Sequence, residues 1–343
     1  MKNNMTIQNM KYCLFILLLF VMSCCYQEKT SQHALSVPSN NVSLKTLELI
    51  NLSSRPVEKP AVIYRSSDLG MSWSSFAQGI PQEATISGIK QEGNKVYVIT
   101  DYHGVFVASD GQDNWTSLNL KQLKGLDINC IEVLANNIII GTLRNGILLS
   151  NDGGLSWNPP NENINSPIRA LIKSEDKLYV GTDSGIFESV DLGNTWSHAF
   201  GQLQILGFTS LNRKLYAATQ NGALVCTGDA SNWKSIYDGD ALHDIGNDGT
   251  YIYAMTIGEQ LLKTKNDGAS WENAQNGITR PPNFYTNEIQ HFGNDIFSAQ
   301  WIGIYHSSDN GNNWKILKGL PHSMAFSTLE ITDYGIIAGI SMR

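Results

Sequence analysis

From about residue 60 to the C-terminus, short apolar runs alternate with clusters of Gly, Asn, Asp and Ser. Runs such as Val96-Tyr97-Val98-Ile99, Ile138-Ile139-Ile140 and Leu178-Tyr179-Val180 each end a few residues before a glycine. Another apolar run follows that glycine, as in Val105-Phe106-Val107, Ile147-Leu148-Leu149 and Ile186-Phe187. β-branched and aromatic runs bounded by turn residues predict strands joined by tight turns. Nowhere in residues 60–343 is a 3.6-residue apolar period sustained, so helices are expected to be nearly absent and the class all-β.

The strands come in groups. Seven of the eight tryptophans end copies of one phrase, at intervals of 42, 42, 39, 37, 38 and 43 residues. Four copies are complete: Ser66-x-Asp68-x-Gly70-x-x-Trp73, Ser150-x-Asp152-x-Gly154-x-x-Trp157, Ser189-x-Asp191-x-Gly193-x-x-Trp196 and Ser307-x-Asp309-x-Gly311-x-x-Trp314. The copy ending at Trp271 carries Thr264, Asn266 and Gly268, and those ending at Trp115 and Trp233 lose the glycine. Five units also place a glycine 11 residues before the Trp (Gly104, Gly146, Gly185, Gly222 and Gly303), and these include both degenerate copies. A fixed period of this length marks a repeat architecture.

Each unit divides into four strands. In the unit ending at Trp157, strands are predicted over Ile128–Leu134, Asn137–Thr142 and Gly146–Ser150, with a fourth starting near Ser156. The phrase falls on the turn between the third and fourth. There Asp and Ser accept turn N–H groups, Gly supplies a backbone angle other residues avoid, and the Trp packs beneath. Burying one indole removes roughly 150–250 Å² from water, on the order of 4–6 kcal/mol as an upper estimate.

The phrase resembles the Asp-box, or bacterial neuraminidase repeat, of β-propellers, with Asp68, Trp73, Asp152, Trp157, Asp191, Trp196, Trp271, Asp309 and Trp314 as its structural members. The resemblance covers nearly all of residues 60–343 and implies a seven-bladed propeller of four-stranded blades. Two strands near the C-terminus (around Ser327–Ile331 and Gly335–Ile340) and a third-strand segment, Ala61–Ser66, imply one blade shared by the N- and C-terminal strands. Similar repeats occur in sialidases, xyloglucan hydrolases, sortilin-type receptors and photosystem II assembly factors, so the resemblance implies a fold and not an activity. Sialidases resemble six-bladed rings and carry an Arg-Ile-Pro motif ahead of the first box. Here that region reads Val62-Ile63-Tyr64-Arg65-Ser66 and no Arg-Ile-Pro occurs.

The N-terminus reads differently. Lys2 and Lys11 precede the apolar run Cys13–Met22, ten residues long, which is too short to span a bilayer and suits a signal peptide. Val21-Met22-Ser23-Cys24 resembles a bacterial lipobox with Cys24 as the acylated residue. The expected organisation is a signal peptide over 1–23, a polar lipid-anchored tether over 24–57 and the propeller over 58–343. The expected location is the bacterial cell envelope, with lipid as the only membrane attachment, or secretion if Cys24 carries none.

Of five cysteines only Cys130 and Cys226 fall in the propeller, on an innermost strand and on a third strand two blades away. They read as buried apolar residues and not as a bridge. Loss of Lys2 and Lys11 with the leader takes the net charge from −7 to about −9. Without a basic run, nucleic acid is not expected as a partner. The seven scattered histidines show no HExxH and no paired ligand spacing, so neither a metal nor another cofactor is expected.

Candidate chemistry concentrates on turns between second and third strands, which share a face with the blade-to-blade connections, opposite the Asp-boxes. Tyr102, His103, Arg144, Arg280, Tyr285 and Trp301 are the expected ligand-binding residues, combining rigid aromatic area with charge. Arg144, Arg169 and Arg280 are the candidate cations to converge on an anion. No Ser/His/Asp or Cys/His spacing suggests a nucleophile. The leading expectation is a monomeric propeller that binds a protein or glycan at the envelope without turnover. The second is a glycoside hydrolase or lyase with carboxylates drawn from Asp101, Asp183, Glu259 and Glu288. The third is an assembly factor for a membrane complex.

Overall fold

A computed structural model describes residues 60–341 apart from 110, 119, 159–162, 229–231, 259, 280–285 and 322–323. The expected leader, Cys24 and polar tether lie outside the described residues.

The chain enters through β1 (Ile63–Ser66) and β2 (Ser74–Ser75). Blade 1 follows, with β3 (Ile86–Glu92), β4 (Lys95–Thr100), β5 (Gly104–Ser109) and β6 (Thr116–Leu118). A single helical turn, α1 (Leu120–Leu123), leads to blade 2, with β7 (Ile128–Leu134), β8 (Asn137–Thr142) and β9 (Ile147–Ser150). Blade 3 is β10 (Ile168–Ser174), β11 (Lys177–Thr182), β12 (Gly185–Ser189) and β13 (Ser197–Phe200). Blade 4 is β14 (Ile205–Leu211), β15 (Lys214–Thr219), β16 (Gly222–Thr227) and β17 (Trp233–Tyr237). Blade 5 is β18 (Leu242–Asn247), β19 (Ile252–Thr256), β20 (Leu261–Thr264) and β21 (Glu272–Asn273). Blade 6 is β22 (Glu288–Phe292), β23 (Asp295–Gln300), β24 (Gly303–Ser307) and β25 (Lys315–Ile316).

Blade 7 closes the ring. Its order is β2-β1-β27-β26, with the inner pair β26 (Ala325–Thr332) and β27 (Gly335–Ser341) from the C-terminal end and the outer pair from the N-terminal side. Tyr64 pairs with Ala338 and Arg65 with Ile337, so the expected shared blade is present in register. Each innermost strand lies against the innermost strand of the next blade, and β26 lies against β3. The fold is an all-β seven-bladed propeller. The fourth strand expected near Ser156 is reduced, among the described residues, to one ladder bond from the Asn158 N–H to Leu149 O (2.8 Å).

The core is seven seams. Tyr97, Ile99 and Val105 of blade 1, for example, meet Ile128, Ile138, Leu148 and Trp157 of blade 2. Six of the seven innermost strands shift register near their start, as between Ile86 and Gly88. Such a bulge re-aims a side chain. Residues at that level reach across the seam: Ser87 donates to Ile128 O (3.2 Å), Asn129 to Arg169 O (2.7 Å) and Asn287 to Phe326 O (2.6 Å).

The repeat turns share one hydrogen-bond scheme. Ser66 Oγ donates to Asp68 Oδ1 (2.8 Å) and accepts the Gly70 N–H (2.7 Å). Asp68 also accepts the Ser72 N–H (2.8 Å) and hydroxyl (2.6 Å). The same bonds recur around Asp152, Asp191 and Asp309, with the Asn313 amide in place of the hydroxyl at Asp309. At Asn266 the amide donates to Ser270 Oγ instead, at 3.0 Å. The residue just before each Trp (Ser72, Ser156, Thr195, Ser270, Asn313) is thus a member of the turn that the sequence reading left open. Gly268 is needed for space as well as for its φ of 82°, because a Cβ there would lie 2.0 Å from Ile236 O.

The tryptophans do more than pack beneath their turns. Trp73 and Trp196 donate to carbonyls of their own turns, Gly70 O (3.2 Å) and Gly193 O (3.0 Å). Trp115, Trp271 and Trp314 instead donate across the seam to Phe76 O, Ile236 O and Ala274 O at 2.7, 2.8 and 2.7 Å. These three indoles staple neighbouring blades together.

Candidate functional site

On the face opposite the repeat turns, a threonine ends the second strand in each of blades 1 to 4 and closes the turn that follows. Thr100, Thr142, Thr182 and Thr219 donate to the carbonyls of Gly104, Gly146, Gly185 and Gly222 at 2.8–2.9 Å. The residues between are held out from a rigid sheet end.

Three of the expected ligand-binding residues meet at one corner, over the seam between blades 1 and 2. Tyr102 has a left-handed φ of 62° and is half exposed, and its carbonyl accepts the Gly125 N–H at 2.8 Å. Its hydroxyl accepts from Arg144 Nη2 at 3.1 Å. Arg144 Nε donates to Asp127, which is buried, while the Arg144 side chain itself remains 71% exposed. His103 Nδ1 lies 2.9 Å from Asp101 O, and its Nε2 is 3.6 Å from Glu83. A cation and an aromatic ring are therefore fixed side by side with their outer surfaces open to solvent.

Trp301 stands on the same face, half-buried, in the turn between β23 and β24, with blade 7 between it and this corner. Beside it Gln300 is fully buried and donates to Thr286 Oγ1 (2.9 Å) and Ser298 Oγ (2.8 Å). Arg280, Tyr285 and Glu259 lie outside the described residues.

Two of the carboxylates named from the sequence, Asp183 and Glu288, take other roles. Asp183 accepts from Arg169 Nε (2.8 Å), Arg169 Nη2 (3.1 Å) and Gln204 Nε2 (2.6 Å), which ties both of its oxygens into the seam between blades 3 and 4. Burial raises its pKa, but the Arg169 and Gln204 hydrogen bonds leave it below the usual range. Such a group is a poor proton donor at neutral pH. Arg169 and Arg144 each answer a local carboxylate on a different blade, so they do not converge on an anion. Glu288 is on innermost strand β22 and accepts the Leu329 N–H of blade 7 at 3.0 Å.

Sequence reasoning missed the buried charges. Lys263 on β20 is 1% exposed and donates to Asn310 O (2.7 Å) and Asn312 Oδ1 (2.6 Å) of the next repeat turn, and burial lowers its pKa. Lys90 on innermost strand β3 lies 3.2 Å from Glu132 on β7. A charged residue inside an otherwise alternating strand was the available signal. Cys130 and Cys226 form no disulfide, and burial pushes Cys130 up to about 12, which leaves it unreactive. Among the described residues no group of three or more His, Cys, Asp and Glu could hold a metal, and no helix is long and apolar enough to cross a membrane.

No protein-family model and no curated protein matches the sequence. Solved structures do match. YCF48 from Cyanidioschyzon merolae is 14% identical, with a TM-score of 0.59 over 76% of this chain and 97% of that one. YCF48 bound to a D1 peptide is 16% identical, with a TM-score of 0.60 over 75% of this chain and 90% of that one. A GH74 xyloglucanase from Xanthomonas campestris is 14% identical, with a TM-score of 0.59 over 80% of this chain and 52% of that one. At these identities, what the chain shares with them is the propeller fold.

Proposed function

We propose that this chain is a non-catalytic binding propeller of the bacterial cell envelope, anchored by lipid on Cys24, that takes a protein segment or a glycan on the face opposite its repeat turns. The observation that carries this reading is the corner over blades 1 and 2. There a buried aspartate and a tyrosine hydroxyl hold an exposed arginine beside an exposed ring. Groups fixed before binding lose little freedom when a ligand arrives, which favours recognition. Binding of a peptide by the similarly folded YCF48 supports a protein segment as the ligand. Catalysis has less behind it, because Asp183 is hydrogen-bonded on both oxygens and Glu288 is tied to the Leu329 N–H across a seam.

The test presents the lipid-free protein, with Cys24 replaced by Ser, to solubilised envelope proteins and to sialylated, sulfated and neutral polysaccharides, with product detection. Saturable binding without product, weakened at least tenfold by Tyr102→Ala with Arg144→Ala, is the expected result. Product formation lost on replacing Asp101, Asp183 or Glu259 would overturn it in favour of a hydrolase or lyase. Anchoring is checked separately, since Cys24→Ser is expected to release the protein from membranes and Cys25→Ser is not.

A further inference from the structure

The corner over blades 1 and 2 ends in a one-sided set of hydrogen-bonding groups. A guanidinium carries five N–H donors and no acceptor. Arg144 Nε donates to Asp127 Oδ2, and Nη2 donates to the Tyr102 hydroxyl at 3.1 Å. Among the described residues its other three side-chain N–H groups, both on Nη1 included, meet no acceptor. The Tyr102 hydroxyl accepts from Arg144, so its own proton remains to be donated. Lys124 precedes Gly125, whose N–H binds Tyr102 O, and it is exposed, as is Lys121 on α1. What Arg144 and Tyr102 lack is an acceptor, so a ligand that supplies lone pairs completes them.

These donors are fixed before any ligand arrives. Asp127 is buried, its Oδ1 accepts the Arg144 backbone N–H at 3.3 Å, and its carbonyl accepts the Leu143 N–H at 3.1 Å. Asp127 thus holds Arg144 by main chain and side chain together. α1, the one helix among the described residues, braces the neighbouring turn. Its Leu123 is fully buried against that turn, where a Cβ on Gly104 would come 3.3 Å from the Leu123 Cβ. Donors held in this way suit a planar acceptor with two oxygens.

Charge narrows the acceptor further. Asp127 already offsets much of the Arg144 charge, which leaves the corner suited to a single negative charge. A phosphate brings about −1.5 to −2 and is met by clusters of arginines. The same face exposes Glu83 beside His103, and Asp238 and Asp240 in the connection from blade 4 to blade 5. With a net charge of −7 on the chain, a polyanionic glycan meets repulsion across the ring, and a lone carboxylate on a protein segment meets far less. Given a binding face opposite the repeat turns, on which this assignment rests, we propose that Arg144 and Tyr102 clasp one carboxylate of a protein segment. Two of the three remaining guanidinium N–H groups and the Tyr102 hydroxyl are its donors. The carboxylate belongs to an Asp or Glu side chain or to a chain terminus.

Two arrays of the same random-sequence peptides, one with free C-termini and one amidated, are probed with the lipid-free protein carrying Cys24→Ser. Peptides are kept whose binding is lost when Arg144→Gln and Tyr102→Phe are added. These are expected to carry an Asp or Glu, or to bind only with a free terminus, and comparison of the arrays tells the two sources apart. Replacing that carboxylate by its amide should weaken binding by about 10- to 100-fold, the worth of a charge-assisted hydrogen bond. The same replacement should leave the already weak binding of the Arg144→Gln variant unchanged. Arg144→Lys keeps the charge without the planar fork and should lose most of the binding. The amide replacement is read on the protein with Arg144 and Tyr102 intact, so it decides whether or not a variant folds. Corner-dependent peptides whose amide analogues bind equally well overturn the carboxylate and leave the binding face standing. Polygalacturonate held at the corner more tightly than any peptide overturns the protein segment. Peptides that bind the corner variants undiminished, or none that bind, overturn the face and the clasp with it.

Discussion

Replacing two tryptophans by phenylalanine separates the seam hydrogen bond from the packing around it. Trp314 is 3% exposed and its Nε1 donates to Ala274 O across the seam between blades 5 and 6 at 2.7 Å. Trp157 is 7% exposed in the seam between blades 1 and 2, but its Nε1 is buried with no hydrogen-bond partner among the described residues. Phenylalanine removes the same ring atoms at both sites, for a loss of about 1–2 kcal/mol each. Trp314→Phe also leaves the Ala274 carbonyl unmet, which adds about 1–3 kcal/mol. Trp157→Phe removes an unpaired donor, which offsets part of its loss. The expected destabilisation is about 2–5 kcal/mol for Trp314→Phe and about 0–2 kcal/mol for Trp157→Phe. Urea midpoints, read at unchanged denaturant slope, measure both. Trp157→Ala, at about 3–5 kcal/mol, sets the scale for full loss of the indole. Equal losses in the two phenylalanine variants would refute the staple and leave packing as the sole role of these residues.

Three further outcomes are expected. Deleting 325–343 removes both inner strands of blade 7 and should abolish the cooperative unfolding transition, and a truncated chain with an unchanged midpoint would refute ring closure by both termini. Gly222→Ala should lose several kcal/mol and Gly153→Ala about 1 kcal/mol. A Cβ at Gly222 would lie 1.9 Å from Tyr237 O, while one at Gly153 meets nothing within 4 Å, so similar midpoints would undo the steric reading. On the acid side, hydrogen bonds led by the Ser72 and Ser156 hydroxyls hold Asp68 and Asp152 at about 2. Groups depressed on folding lose their contribution as pH falls, so the midpoint should drop between about pH 4 and pH 2, and a flat acid limb would mean the turns add nothing.

The repeat made the fold legible, because one phrase recurring in phase fixes strand count, turn positions and the shared blade together. The strands predicted for blade 2 over Ile128–Leu134 and Asn137–Thr142 match β7 and β8 residue for residue. What a repeat cannot report is contact between neighbours. The reach of Trp314 to Ala274, of Lys263 to Asn310 and of Glu330 to Gln91 depends on how blades stack, and these residues lie 40, 47 and 239 positions apart. The exposed corner was partly visible, since Tyr102, His103 and Arg144 were picked from turn position and residue type. Its organiser, Asp127, was not, because it lies in a blade connection outside the repeat. Asp183 was picked for its chemistry, and its partners Arg169 and Gln204 come from different strands and connections.

Site-specific photo-crosslinking in intact cells tests the central claim most directly. A photoreactive residue replaces Tyr102 in one variant and Leu155, exposed on a repeat turn, in another. A binding face opposite the repeat turns predicts discrete adducts to a protein or glycan from position 102, lost when Arg144→Ala is added, and none from position 155. Adducts from position 155 alone would place recognition on the repeat-turn face and contradict the account.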